Sequence, residues 1–123
     1  MAQVDQPRKI LVVDDYEDAA AIVAGILQLH GHHTCFAVGG HAGLCAAMTF
    51  SPEVVFLDLS MPGCDGYQVA RCLRQSYADR KLRLIALSAW DDDLTRARAK
   101  AAGFDAHLIK PAHLLDIIAS ANG

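Results

Sequence analysis

The sequence predicts a doubly wound α/β domain, and three observations lead there. Five short apolar runs read as strands, and the most continuous of them, Val54 to Leu57, lacks the apolar–polar alternation of a half-buried strand and so reads as covered on both faces. Between them lie segments whose apolar residues recur at helical spacing, joined by connections only a few residues long. Strands alternating with helices in this way imply parallel pairing, right-handed crossovers and helices on both sheet faces.

The elements follow in chain order. Lys9 to Asp15 is an apolar run that ends on two carboxylates, the first strand. Asp18 to His30 places Ala19, Ile22, Val23, Ile26, Leu27 and Leu29 near helical spacing, with acids at its start and Gly31 past its end. His33 to Val38 is apolar enough for a strand. Gly39 and Gly40 end it before the Ala-rich helix Ala42 to Phe50, which Ser51-Pro52 closes. Val54 to Leu57 is the most continuous apolar run. It ends on Asp58, and Met61-Pro62-Gly63 then turns the chain out of the sheet within about three residues. Tyr67 to Ser76 reads as a helix with Val69, Cys72 and Leu73 inward and Arg71 and Arg74 outward. Lys81 to Ser88 is the fourth strand. Asp91-Asp92-Asp93 cap a helix that runs to about Ala102, with Gly103 as its stop. Ala106 to Ile109 is the fifth strand, ended by Lys110-Pro111, and Leu114 to Ala119 is a last helix.

The bulk properties fit one domain over residues 1–123. The chain is 53% hydrophobic and 20% charged, as compact soluble domains are. A net charge of -3 is small and of the wrong sign for direct nucleic-acid binding. The start, Met1 to Lys9, has no apolar core for a signal peptide, and no later run reaches membrane-spanning length, so no membrane segment is expected and the cytoplasm is the default location. Cys35, Cys45, Cys64 and Cys72 form no Cys-x-x-Cys pair; they fall in a strand, a helix, a loop and a helix and read as reduced, space-filling thiols. His30, His32 and His33 flank a helix end without a second ligand pair at finger-like spacing, which argues against zinc.

In a doubly wound sheet the functional crevice lies beyond the carboxyl ends of the strands, where strand order reverses. The residues at those ends are Asp14 and Asp15, Asp58, Ser88 and Lys110. If the first and third strands are neighbours, three carboxylates meet and repel one another in a partly buried crevice. Lys110 supplies one positive charge. The remaining negative charge suits a hard divalent ion bound through oxygens, which describes Mg²⁺. With cation and Lys110 in place, a phosphoryl group is the fitting guest, and Asp58 is placed to attack phosphorus and become an aspartyl phosphate.

These residues, together with Met61-Pro62, Gly66, Ser88-Ala89 and Lys110-Pro111, resemble the receiver domains of two-component response regulators over nearly the whole chain. The resemblance implies a flavodoxin-like (βα)5 fold with strand order 2-1-3-4-5. It implies Mg²⁺ (or Mn²⁺) on Asp15, Asp58 and the Ser60 backbone carbonyl, with Asp14 acting through water. It further implies a phosphoryl group taken by Asp58 from the phosphohistidine of a histidine kinase or histidine phosphotransfer protein, Ser88 as the switch, Lys110 paired to the phosphate, and a cis Lys110–Pro111 bond. Such a domain is not a conventional enzyme, although it promotes its own phosphorylation and dephosphorylation. Its output goes to a downstream protein target. The first helix, with Val23 and the residues around Tyr16 and Glu17, resembles the face on which receivers dock kinase or phosphotransfer helices.

The chain departs from the pattern at one position. The family has Tyr or Phe three residues before the lysine; here His107 stands there, either as a titratable switch residue or as a partly exposed strand residue. Its surroundings resemble receivers attached to hybrid sensor kinases, so the chain reads as a stand-alone regulator or as a module of such a kinase. Ser60 and Trp90 flank the access to the phosphoryl site, and Trp90 is bulky enough to shield it. Competing readings fare worse. A haloacid-dehalogenase-like phosphohydrolase needs an acid where Ser60 stands. An FMN site needs a hydroxyl- and glycine-rich loop where Asp14-Asp15-Tyr16-Glu17-Asp18 stands. An unphosphorylated receiver-like interaction scaffold is opposed by the complete acidic set.

Overall fold

The computed structural model describes residues 6–78 and 80–123; within the N-terminal stretch read above, residues 1–5 lie outside them. Seven strands and five helices follow in the order β1 (Lys9–Asp14), α1 (Glu17–Leu29), β2 (His33–Val38), α2 (Gly40–Phe50), β3 (Val54–Asp58), β4 (Ser60–Met61), β5 (Cys64–Asp65), α3 (Gly66–Ser76), β6 (Arg83–Ser88), α4 (Asp93–Ala102), β7 (Ala106–Ile109) and α5 (Leu114–Asn122). The main sheet is parallel, in the order β2-β1-β3-β6-β7, which is 2-1-3-4-5 when only its own strands are counted.

Both sheet faces are covered, as the continuous apolar runs demand. Ile10, Val12, Val54, Phe56, Ile85 and Leu87 point to one face and pack with Ala20, Ala24, Leu27 of α1 and Ile117, Ala121 of α5. The alternate residues Leu11, Val13, Val55, Leu57, Leu84 and Ala86 point to the other, against α2, α3 and α4. Fully burying such side chains stabilises by ~1.5–3 kcal/mol each before entropy is counted. The central strand β3 is buried from Val54 through Asp58.

After β3 the chain leaves the main sheet as expected, and Pro62 and Gly63 form the two-residue loop of a separate small antiparallel ribbon that pairs Ser60 with Asp65 and Met61 with Cys64. Three sequence expectations are corrected. Cys64 lies in a strand of that ribbon and not in a loop. Arg74 does not point outward, because its guanidinium donates to the carbonyls of Leu82 and Gly103 and pairs with Asp105. Finally, Cys45 fills no space: it is exposed, while Cys35, Cys64 and Cys72 are half-buried.

Helix ends differ by a few residues and for identifiable reasons. Asp65 caps α3 by accepting from the Tyr67 N–H at 2.9 Å, so α3 starts at Gly66. Asp92, the middle acid of the triplet, accepts from the Thr95 N–H at 2.7 Å and caps α4. Gly103 takes the left-handed conformation that ends α4, at φ 105°.

Candidate functional site

The strand ends carry the site because the sheet aligns them. Val13 is paired with Leu57 across β1 and β3, so Asp14 and Asp58 come next, side by side. Ser88 ends β6 and Lys110 follows β7, whose cis Lys110–Pro111 bond turns the chain away. Asp14, Asp58 and Ser88 are buried, at 2%, 1% and 1% exposure, whereas Asp15 is exposed at the rim.

Each of the three buried residues is oriented by the same local device. Asp14 Oδ1 accepts from the Tyr16 N–H at 3.1 Å, Asp58 Oδ1 from the Ser60 N–H at 3.0 Å, and Ser88 Oγ from the Trp90 N–H at 3.0 Å. Asp and Ser favour this turn onto the N–H two residues ahead. For the two aspartates it ties down one oxygen and leaves the other for chemistry.

Those second oxygens meet Lys110. Its Nζ lies 3.0 Å from Asp14 Oδ2 and 3.1 Å from Asp58 Oδ2. The ammonium is close enough to Asp58 for Coulomb attraction, yet it is not aligned as a hydrogen-bond donor, so Asp58 Oδ2 is buried without one. Burial pushes the Asp58 carboxyl up to about 6, with the Asp14 charge adding to the effect and the Ser60 N–H and Lys110 opposing it. Burial acts on Asp14 too, but Lys110 and the Tyr16 N–H outweigh it and hold that carboxyl below its ordinary range. Burial works against the Lys110 charge, and the two aspartates outweigh it, so the ammonium is held more firmly than usual. Lys110 thus keeps Asp14 ionised and leaves Asp58 the weaker acid of the pair.

Asp14, Asp15 and Asp58 each offer a carboxylate oxygen within 4.8 Å of the others. One ammonium cannot balance three carboxylates, and Asp58 Oδ2 lacks a donor. A hard divalent cation with an all-oxygen shell fits both facts, and exposed Asp15 leaves room for water. The donor set alone does not separate Mg²⁺ from Mn²⁺.

Other singled-out residues fall around this centre. Ser60 is exposed, two residues beyond Asp58, with its N–H engaged there. Trp90 is 64% exposed, and its backbone N–H is what joins it to the site. His107 on β7 is half-buried, but both ring nitrogens are withdrawn from solvent and unpartnered. Burial, and then the Arg96 charge, holds its pKa below the ordinary histidine value. The histidines at the end of α1 diverge: His30 Nδ1 meets the Ile26 carbonyl at 3.0 Å, His32 is buried with Nδ1 accepting from the Arg8 N–H at 3.1 Å, and His33 is exposed on β2.

The sequence reading named the α1 face around Tyr16 and Val23 but not two further features. A groove of about 450 Å³ runs from Asp15 between α1 and α5, walled by Tyr16, Ile22, Val23, Leu87 and Pro111. Exposed Ile22 within an otherwise amphipathic helix was its signal. The second is the contact of Gly66 with the backbone of β3's end: a Cβ there would sit 2.6 Å from the Asp58 carbonyl oxygen and 2.8 Å from Leu59 Cα. Nothing in the spacing announces so close an approach.

Comparisons with known proteins agree with this architecture. The model of the response regulator receiver domain matches residues 10–122. Protein PilH of Pseudomonas aeruginosa is 30% identical over 84% of this chain and 85% of its own length. Transcriptional regulatory protein PrrA of Mycobacterium tuberculosis is 35% identical over 94% of this chain, which spans 48% of that protein. The solved chemotaxis protein CheY4 of Vibrio cholerae superposes with a TM-score of 0.88, covering 95% of this chain and 98% of its own at 22% identity, a likeness of fold. No helix among the described residues is long and apolar enough to cross a membrane. The chain belongs to the response regulator receiver domain family of two-component signalling.

Proposed function

We propose that this receiver takes a phosphoryl group from a phosphohistidine onto Asp58 and changes conformation in response. One observation carries the reading: Asp58 Oδ2 is buried, without a hydrogen-bond donor, 3.1 Å from Lys110 and among the carboxylates of Asp14 and Asp15.

A carboxylate oxygen of Asp58 forms the new O–P bond as the P–N bond of the phosphohistidine breaks, and that bond's electron pair stays with the departing imidazole nitrogen. Asp15, Asp58 and the Ser60 carbonyl, with Asp14 acting through water, would hold Mg²⁺ or Mn²⁺, which when bound neutralises charge on the transferring phosphoryl oxygens. Lys110 neutralises the same charge from the other side and is freed from Asp58 as it does so. Ser88 donates its hydroxyl hydrogen to the phosphoryl oxygens, and His107, two residues before Ile109, the partner of Ser88 on β7, is the second switch position. Loss of the phosphoryl group is attack of water on phosphorus with the O–P bond breaking, which returns the carboxylate. Ser60 and Trp90 flank the path of that water.

The donor is a histidine kinase or a histidine phosphotransfer protein, and the groove between α1 and α5 is where its helix would lie against Tyr16 and Val23. The switched surface would act on a downstream protein target, and a cytoplasmic location goes with this partner set. Incubation with acetyl phosphate and Mg²⁺, followed by intact-mass measurement, tests the reading. Wild type is expected to gain one phosphoryl group, and equal gain by Asp58→Asn would overturn it.

A further inference from the structure

Away from the acidic rim, the outer face of α2 carries His41, Cys45 and Met48, all exposed. Their spacing, i, i+4 and i+7, places them on one stripe of the helix, where side chains three and four apart have Cβ atoms ~5–6 Å from each other. Cys45 Sγ lies 4.0 Å from His41 Nε2. A thiolate bond of ~2.3 Å and an imidazole bond of ~2.0 Å to one ion span about that distance when they meet at an angle between trigonal and linear.

The stripe does nothing for the fold. The buried residues of α2 are Gly40, Gly43 and Ala47, on the other side of the helix. Met48 is 81% exposed, while Met61 is buried at 5%. Among the described residues Cys45 is the single exposed thiol. An exposed methionine and an exposed cysteine each forgo burial, and here they do so on the same face, flanking one turn with a histidine.

We infer that His41, Cys45 and Met48 form a surface site for a soft monovalent cation, Cu(I). Thiolate and thioether ligands select soft ions, and a thioether contributes little to Mg²⁺ or Zn²⁺. Binding replaces the Cys45 S–H proton by an S–Cu bond and releases that proton to solvent. His41 donates the Nε2 lone pair of its neutral ring, Met48 donates a sulfur lone pair, and copper keeps its oxidation state. The oxygen site at the strand ends prefers hard ions, so the two sites are chemically separate and the copper site is independent of the phosphoryl reading.

Anaerobic titration of the whole chain against the Cu(I)–bicinchoninate complex, with excess Mg²⁺ present, tests this. Wild type is expected to withdraw one equivalent of Cu(I), and Cys45→Ser to lose the competition. His41→Asn and Met48→Leu should each weaken binding by at least about tenfold. Copper-edge absorption of the loaded wild type should show two sulfur scatterers and one nitrogen, and this needs no variant to fold. Failure of wild type to compete overturns the inference, as does retained binding in Cys45→Ser. So does wild-type affinity in both His41→Asn and Met48→Leu, which would mark a lone thiol.

Discussion

Ser88 Oγ accepts a hydrogen bond from the Trp90 backbone N–H at 3.0 Å. The residue proposed to follow the phosphoryl group is therefore tied to the backbone of the one tryptophan in the chain. A hydroxyl accepts with its lone pairs and keeps its hydrogen to donate, so a rotation of the hydroxyl hydrogen leaves that bond intact, whereas movement of Oγ itself toward a phosphoryl oxygen would strain or break it. The indole, 64% exposed, moves with the backbone when the Trp90 main-chain N–H is released.

Trp90 emission should accordingly change when Mg²⁺ and beryllofluoride are added together, and the change should shrink in Ser88→Ala. Trp90→Ala keeps the N–H that Ser88 uses and removes only the ring. If the ring hinders water, the aspartyl phosphate of this variant should be lost severalfold faster, read by phosphate release; an unchanged or slower rate rejects the shielding role.

Asp58→Asn is expected to stabilise the metal-free protein at neutral pH. A carboxyl whose folded pKa is about 6, against 3.8 unfolded, favours the protonated native state, so the contribution of Asp58 to stability falls as pH rises from about 4 to about 6. Above that window the ionised Asp58 costs on the order of 2–3 kcal/mol, which asparagine avoids while keeping an oxygen for the Ser60 N–H. Asp14, held low, loses its contribution only below 3.8, and Lys110, held high, only above 10.5; His32 and His107, both held low, lose stability as pH falls below 6.5, but they do so in both proteins and cancel in the difference. Urea melts of both proteins at pH 7 and pH 4.5 check this: the variant's advantage should be present at the first and mostly gone at the second.

Gly66→Ala should damage the site without touching a charged group. The added Cβ would meet the Asp58 carbonyl and Leu59 Cα, both backbone atoms that cannot swing aside. A cost of about 1–3 kcal/mol is expected, with weaker Mg²⁺-dependent stabilisation in thermal melts. Gly25→Ala is the control. Gly25 lies within α1 with nothing inside 4 Å of the new Cβ, so the same change there should stabilise by about 0.5–1 kcal/mol.

Arg74→Met should destabilise by about 1–3 kcal/mol while leaving Mg²⁺ binding intact. The guanidinium joins the end of α3 to Leu82, Gly103 and Asp105, and Asp105 Oδ2 in turn accepts from the Leu84 N–H at 2.9 Å. Methionine keeps the apolar stem and strands those acceptors; a midpoint shift in urea without a change in Mg²⁺ affinity is the expected reading.

Legibility in the sequence tracked the range of the interaction. Continuous runs such as Val54 to Leu57 reveal two-sided burial by their lack of alternation, and Asp14, Asp58, Ser88 and Lys110 stand out because each breaks such a run at its end. The β4–β5 ribbon was illegible because two-residue strands carry no periodicity. Arg74 misled because a charge on a helix is exposed by default, and the carbonyls it satisfies belong to residues 8 and 29 positions away in the chain. Cys45 misled in the opposite sense, since thiols are buried by default and its exposure depends on how α2 rotates against the sheet.

The central claim is that Asp58 itself carries the phosphoryl group, and borohydride trapping measures it most directly. After reaction with acetyl phosphate and Mg²⁺, reduction of an aspartyl phosphate leaves homoserine at the modified position, which peptide mass spectrometry locates. The account predicts homoserine at position 58 in wild type, and none when Mg²⁺ is withheld; homoserine at position 14 or 15 in its place, or at none of the three, would contradict it.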